Sequence, residues 1–368
     1  MRTETRRLQK PCPINCVKHQ RHKVRDAAIK RGLAFIYRTA CVPDNFDTYG
    51  YDYLSCFHCI ASTSKDVNLR RMASQMGRER AREWRRTNAQ VPNDADADDI
   101  AYLIFGTAAA DRLGVRNVRF KQQIRRAARN HSAAEYFSFD PKIEPPPRDV
   151  PAECECGLYN SRGRKKCSHC HRQLAKMSCY GVWVDALTRS YAAERYGVRL
   201  GAGLFDVLKW LPVMRPYPAH GDGDEDRYYW AIYAVTHVIY VLNDYSRYQL
   251  EPAWLPREYA FLKRNLRWAM ETDDPETTGE LLDSLKSFGL SNDDPLIKKG
   301  MAYLLSCQNE DGSWGDLDAD DMYRRYHPTW TAVDGLRDYA WRGKRLSFPS
   351  FAPLLKQNGA LSTQRRPG

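Results

Sequence analysis

Apolar positions recur along this chain in two alternating kinds of segment. Six stretches, about residues 47–64, 97–113, 178–195, 229–246, 275–288 and 327–340, are fairly apolar and open on acidic or small polar residues. Each of the first five is followed, after a turn rich in Gly, Pro, Asn or Asp, by a more amphipathic stretch: about 67–87, 117–130, 202–211, 256–270 and 295–307. A helix with one apolar stripe lies on an outer face, whereas one that is apolar more widely is buried. The pattern therefore predicts inner helices, each backed by an outer one. The fifth pair shows the boundaries best, because Asp273-Asp274-Pro275 and Asp293-Asp294-Pro295 supply acidic N-caps with Pro at the first helical position, and Gly289 ends the first helix.

The sixth inner segment has no amphipathic partner behind it, since the chain passes into the polar, Pro-containing stretch 344–368. The N-terminal segment 23–39 is free to take that place. The expected fold is all-α: a single α/α toroid of about six helical hairpins, which stack to bury a continuous core that no single hairpin could bury. Residues 1–22 read as a basic N-terminal extension, 23–140 as the first part of the toroid, 141–177 as an insertion, 178–343 as the rest of the toroid, and 344–368 as a polar C-terminal tail.

With 43% apolar residues in 368, the chain has ample material for a core, so disorder is excluded as its main state. The net charge of +12 comes from arginine runs such as Arg78–Arg86 and Arg125–Arg129. These read first as solvated outer faces of helices, with nucleic acid as a weaker expectation. No apolar run reaches eighteen residues, and the Arg-rich start lacks the apolar stretch of a secretory signal, so a cytoplasmic protein is expected.

The eleven cysteines are an odd number, and several stand at metal-ligand spacings. Within the insertion, Cys154 and Cys156 are followed, after a short Gly-bearing stretch, by Cys167 and Cys170. Two close pairs of this kind place four thiolates around one structural Zn²⁺, a closed site with no open position for substrate. Basic flanks at Arg162, Arg164, Lys165, Lys166 and Arg172 raise phosphate contact, but few aromatic residues stand beside them to stack bases.

Chemistry in a toroid is expected on the inner helices, where polar side chains face the central cavity. His237 precedes Asp244 by seven positions and His327 precedes Asp334 by seven, close to two helical turns, so each pair lies on one helix face. Glu276 and Asp283 repeat the spacing. These residues suggest a cavity site with His237 and His327 as ligands of a second divalent metal, and Glu276 or Glu280 as an oxygen ligand or general base. Asp96-Ala-Asp98-Asp99 and Asp318-Ala-Asp320-Asp321 both read D-x-D-D, and capping of the helices they open is the competing explanation.

Lys299-Gly300-Met301-Ala302-Tyr303-Leu304, followed by Gln308 and Gly312-Ser313-Trp314, resembles the QW repeat of squalene–hopene cyclases and related terpene cyclases. That resemblance implies a helix-capping Gln308, a stacking Trp314 and a toroid. It also implies that Asp98, the middle acid of the first D-x-D-D motif, is a proton-donor candidate. Residues 312–336 resemble the end of protein prenyltransferase β subunits, with His327 at the position of a zinc-ligand histidine; that family's neighbouring Asp and Cys ligands have no counterpart here. The leading expectation is an enzyme whose cavity acts on an isoprenoid or similarly extended apolar small molecule with acid or metal assistance. A carbohydrate-active hydrolase or lyase of the same fold and a non-enzymatic zinc-ribbon interaction protein are the alternatives.

Replacing Cys154 and Cys167 together with serine should lower the zinc content of the purified protein by about one equivalent and loosen the insertion, because a structural metal contributes folding energy. Retention of all zinc by that double variant in metal analysis would refute the site.

Overall fold

Helix boundaries fall largely where the caps put them. The computed structural model describes residues 14–147, 152–153, 159–160, 166–172, 174, 178–221 and 225–356. In chain order the helices are α1 (Ile14–Ala40), α2 (Pro43–Thr63), α3 (Val67–Thr87), α4 (Ala97–Arg112), α5 (Val118–Ala127), α6 (Ala133–Phe137), α7 (Cys179–Tyr196), α8 (Leu204–Leu208), α9 (Leu211–Met214), α10 (Glu225–Leu242), α11 (Pro256–Glu271), α12 (Pro275–Ser287), α13 (Pro295–Ser306), α14 (Tyr323–Leu336) and α15 (Ala352–Leu355). The described strands are one two-residue antiparallel pair, so the fold is helical. Asp66, Asp96, Asp274 and Asp294 each accept backbone N–H groups at a helix start, and Pro275 and Pro295 follow two of them as expected. Each such cap contributes about 1 kcal/mol.

The six segments read as inner helices become α2, α4, α7, α10, α12 and α14. Each packs against the next in that order, and α14 touches α2. The amphipathic helices lie behind them: α3 on α2 and α4, α5 on α4, α8 on α7, α11 on α10 and α12, and α13 on α12 and α14. Helix α1 packs on α14 and α2, the place left for it by the sixth segment.

Contacts at the helix ends give the direction of these helices. Near their starts, Tyr49 of α2 donates to Asp321 at 2.6 Å, and His327 of α14 meets Glu276 of α12. Near their ends, the N–H groups of Lys65 and Ala340 donate to Asp338 and Thr63 carbonyls at 2.8 and 2.7 Å, joining the exits of α2 and α14. Buried Lys286, in the last turn of α12, donates to the carbonyls of Gly335 and Arg337 at 2.6 and 3.1 Å. Starts meet starts and ends meet ends, so α2, α12 and α14 run the same way.

Helices α12 and α14 cross in close contact. A Cβ on Gly279 would sit 2.4 Å from the Thr331 carbonyl, and one on Gly335 would sit 3.0 Å from the Gly279 Cα. Only glycine lets the backbones approach this far.

The QW-like segment ties α1, α13 and, through the Trp314 N–H donating to Thr329 Oγ1 at 2.8 Å, α14. Gln308 donates from Nε2 to the carbonyls of Ala28 in α1 and Gly312, while Trp314, fully buried, donates from Nε1 to Leu304 at 2.7 Å near the end of α13. The indole, together with the Cys307 N–H and in place of Gln308, therefore satisfies the Leu304 carbonyl near the end of α13. Trp314 also packs on Gly32 of α1, where a Cβ would lie 2.8 Å from the ring.

Three boundaries differ from expectation. The helix expected at 202–211 is split into α8 and α9, with Pro212 in the first turn of the second. The N-terminal extension already turns helical at Ile14. Part of the polar tail is packed, because Leu346, Phe351 and Leu355 are buried and Arg215 donates to the Leu355 carbonyl at 3.1 Å. Isolated apolar residues in a polar stretch escape a periodicity search.

Trp314→Ala should cost roughly 3–5 kcal/mol in denaturant unfolding, combining the cavity it leaves with the lost bond to α13. A variant as stable as wild type would show that the segment is not structural.

Candidate functional site

Helices α2, α4, α7, α10, α12 and α14 line a half-open cavity of two adjoining lobes. One, of about 570 Å³, is lined by residues of α2, α4, α7 and α14 and by the chain leaving α10. The other, of about 1090 Å³, is lined by the first halves of α7, α10 and α14, the start of α12 and the exit of α13. Asp185, Thr188, His237, Tyr323 and His327 line both lobes, so these residues mark their junction. Each lobe has the scale of a small-molecule site.

At the junction, His327 lies in the first half of α14, and its Nδ1 sits 2.9 Å from Glu276 Oε1 in the first turn of α12. Tyr233 of α10 donates its hydroxyl to the same oxygen, and the His327 ring stacks on Tyr323 at 4.7 Å. Burial by itself would strip the proton from His327, but the Glu276 carboxylate, with Asp52 and Glu280 beyond it, holds its pKa up at about 9. The paired carboxylate thus favours the imidazolium form of His327 at neutral pH. Burial would raise Glu276, yet the His327 charge and hydrogen bond keep it below the ordinary carboxylate range.

His237, on α10, has the opposite state. Burial, reinforced by the nearby His327 charge, pushes its pKa down to about 4 against the pull of its bond to the Tyr233 carbonyl. Its Nδ1 lies 2.8 Å from that carbonyl, which can only accept, so Nδ1 carries the hydrogen and Nε2 keeps the lone pair. Behind the two rings, Glu280 is fully enclosed and accepts from Thr236 at 2.7 Å; burial, only partly opposed by His327 and Thr236, raises it to about 8.

The structure thus brings together His237, His327, Glu276 and Glu280. The remaining candidates go elsewhere, because a seven-residue helical separation shares a face but spans about 10 Å. Asp334 pairs with Arg337 at 2.6 Å, and Asp244 pairs with Arg195 and Arg247 at 3.0 and 2.6 Å while accepting from Tyr191. Asp98 is bound by Arg189 beside the Tyr136 carbonyl, and Asp96 and Asp99 form the capping box of α4. Asp321 of the second D-x-D-D motif accepts the Tyr323 N–H at the start of α14. The first motif therefore caps its helix, whereas the second only borders α14, whose N-cap is Met322 with no side-chain cap bond.

Among the described residues, no group of three or more His, Cys, Asp or Glu side chains is spaced to hold a metal ion. Cys154 and Cys156 lie outside the described residues. Cys167 and Cys170 are described: they pack with Leu174 apart from the main core, and the His169 N–H donates to Cys167 Sγ at 3.4 Å.

Several cavity residues carry no sequence signal. Asp52, beside Tyr51 and Tyr53 in an ordinary-looking helix, accepts from Tyr326 at 2.8 Å, and burial raises its carboxyl. Asp185 is pushed up by burial to about 6 despite Arg189. Most unexpected is the exit of α10, where Asp244, Tyr245 and Ser246 stand consecutively in the left-handed region, with φ of 59°, 50° and 61°. None is Gly or Asn, the residues that would advertise such a turn.

Because the folded-state pKa of His327 is raised, its pairing with Glu276 contributes stability that is complete below about pH 6.5 and is lost as pH rises through about 9. In an NMR titration His327 should change charge near 9 and His237 near 4, and Glu276→Gln should lower the His327 value, since burial then meets less opposing negative charge. Equal titration of both rings near 6.5 would contradict the site. Comparison of the chain with protein-family models, curated proteins and solved structures finds no match.

Proposed function

We propose that the cyclic order of inner helices is an α/α toroid and that its cavity is an enzyme active site for acid–base chemistry on an extended, apolar, isoprenoid-like molecule. The observation that carries this reading is the pair of histidines at the lobe junction: His327 lies 2.9 Å from the Glu276 carboxylate and His237 lies 2.8 Å from the Tyr233 carbonyl, surroundings that drive their pKa values apart. Two titratable groups driven apart in this way are suited to acid and base roles. His327 would deliver a proton to an oxygen of the substrate, with Glu276 and Tyr233 fixing its ring. An imidazolium of this strength suits a carbonyl, epoxide or hydroxyl oxygen rather than an isolated alkene. The neutral Nε2 of His237 would accept a proton from carbon. Proton in and proton out balance as an isomerisation, a cyclisation or, with loss of the protonated hydroxyl, a dehydration.

Aromatic walls support the apolar substrate: Tyr51, Tyr102, Phe105, Tyr245, Tyr323 and Trp330 line the smaller lobe, and aromatic faces stabilise developing positive charge. A second reading, a carbohydrate-active enzyme on the same fold, draws on Asp52 and Asp185, since a carboxyl raised by burial can serve as the acid on a glycosidic oxygen. The insertion is proposed as a structural zinc knot formed by Cys154, Cys156, Cys167 and Cys170, apart from the chemistry.

The test is turnover of a panel containing farnesal, farnesol, oxidosqualene and a β-linked oligosaccharide, with products identified by mass spectrometry. His327→Gln and His237→Ala should each lower turnover about 10²–10⁴-fold with an unchanged melting curve. The pH profile should rise through about 4 and fall through about 9, because His237 must be neutral and His327 protonated. A well-folded variant with full activity would overturn the assignment, and turnover of the oligosaccharide alone would select the second reading.

A further inference from the structure

The smaller lobe ends in a cluster of arginines that the acid–base chemistry does not use. Arg112 and Arg195 stand in the last turns of α4 and α7, and Arg247 follows the left-handed turn that closes α10. One carboxylate, Asp244, serves both Arg195 and Arg247, and no described residue pairs with Arg112. The cluster therefore carries an excess of positive charge at the cavity wall.

Arginines at helix ends often offset the negative end of the helix dipole. Among the described residues, however, none of these three guanidinium groups donates to a carbonyl, and Arg247 Nε is buried with no hydrogen-bond partner. The backbone is also held in an unfavourable form to present this group. Three consecutive non-glycine residues at positive φ are strained, and such strain concentrates at functional sites. The turn is pinned by Asn243, whose side chain accepts the Ser246 N–H at 2.8 Å, and by Asp283, which accepts from Ser246 Oγ at 2.9 Å. His58, on the neighbouring wall, feels the same field: burial, together with Arg112 and Arg247, pushes its pKa down to about 3.

We infer that Arg112, Arg195 and Arg247 form an oxyanion subsite that holds a non-reacting phosphate or carboxylate end of the substrate. The subsite lies past the end of α10, roughly 7–8 Å along the helix axis from His237. A bound molecule would thus place its anionic end at the arginines, its apolar body along Tyr102, Phe105 and Tyr245, and its reacting atoms at the two histidines. Planar guanidinium groups suit the paired oxygens of both anions. The inference rests on the cavity being the active site, as proposed above, only for the word substrate; binding of the anion is measured without turnover.

The test uses the full chain and three probes with one tail and different heads, dodecyl phosphate, dodecanoate and dodecanol, titrated below their micelle concentrations by calorimetry. At least one anion should bind about tenfold or more tighter than dodecanol, and the tighter of the two identifies the head group. Arg112→Gln, an exposed position, and the double variant R112Q/R247Q should progressively remove that preference while the tail still binds as dodecanol does. Added salt should weaken the anion and leave dodecanol unchanged. His237→Ala should keep the wild-type preference for anion over dodecanol, even where all three tails bind differently, which separates this result from failure of the acid–base reading. Equal affinity for anion and alcohol in wild type, or undiminished preference in a folded R112Q/R247Q, would overturn the subsite. If R112Q/R247Q fails to fold, the single Arg112→Gln comparison decides.

Discussion

Contacts at their starts and exits make α2, α12 and α14 run the same way, and the arginines at the exits of α4, α7 and α10 line one lobe. Shared direction has an electrostatic consequence. For α2, α12 and α14 the positive ends of the helix dipoles lie on one side and the negative ends on the other, which favours acids at the starts. Asp274 and Glu276 line the lobe at the helix starts, whereas Arg112, Arg195 and Arg247 line the lobe at the exits. The two histidines sit where these regions meet. Their opposite protonation states follow from that position together with local partners: His327 has a carboxylate at 2.9 Å, and His237 has only a carbonyl.

The glycine crossing of α12 and α14 converts this polarity into a defined site. With Gly279 against the Thr331 carbonyl, Glu276 one turn earlier on α12 is brought to His327 near the start of α14. A side chain at residue 279 would push the helices apart and lengthen the bond that keeps His327 charged. The same crossing places Lys286 under the exit of α14, where it donates to two carbonyls; burial drives its pKa down to about 7 while Asp338 resists. Both ends of the contact thus depend on groups whose charge is set by burial and by one or two partners.

Periodicity and capping made the helices legible, because a twelve- to twenty-residue amphipathic pattern and an Asp-Pro start are local properties of the chain. The link between N-terminal α1 and α14 was legible too, since one outer position lacked an occupant. Pairing was harder to read. Glu276 and His327 are far apart in sequence, and the His-x6-Asp spacing suggested acids that in the structure bind arginines instead. Same-face geometry says which side chains point together, yet two turns of helix separate them by more than a hydrogen bond can span. Asp52 and Asp185 were invisible for a related reason: their altered acidity comes from surroundings contributed by other helices.

The left-handed turn at Asp244–Ser246 shows where local preference yields to tertiary contacts. By propensity the chain Asn243-Asp244-Tyr245-Ser246 could continue α10 for another turn, as its hydrophobic pattern suggests. Helical geometry would then carry Arg247 around the axis and away from its present place beside Asp244. Asn243 instead gathers the N–H groups of Ser246, Arg247 and Tyr248 through its side chain and carbonyl, and buried Asp283 takes the Ser246 hydroxyl. Buried hydrogen bonds of this kind contribute about 0.5–1.5 kcal/mol each, and more where one partner is charged. Taken together they are comparable to the strain of three residues at positive φ, so the turn can persist without glycine. Glycine would relieve the backbone, but it would remove the carboxylate that orients two arginines and the ring that walls the cavity. The strained geometry is therefore coupled to the side chains that it presents.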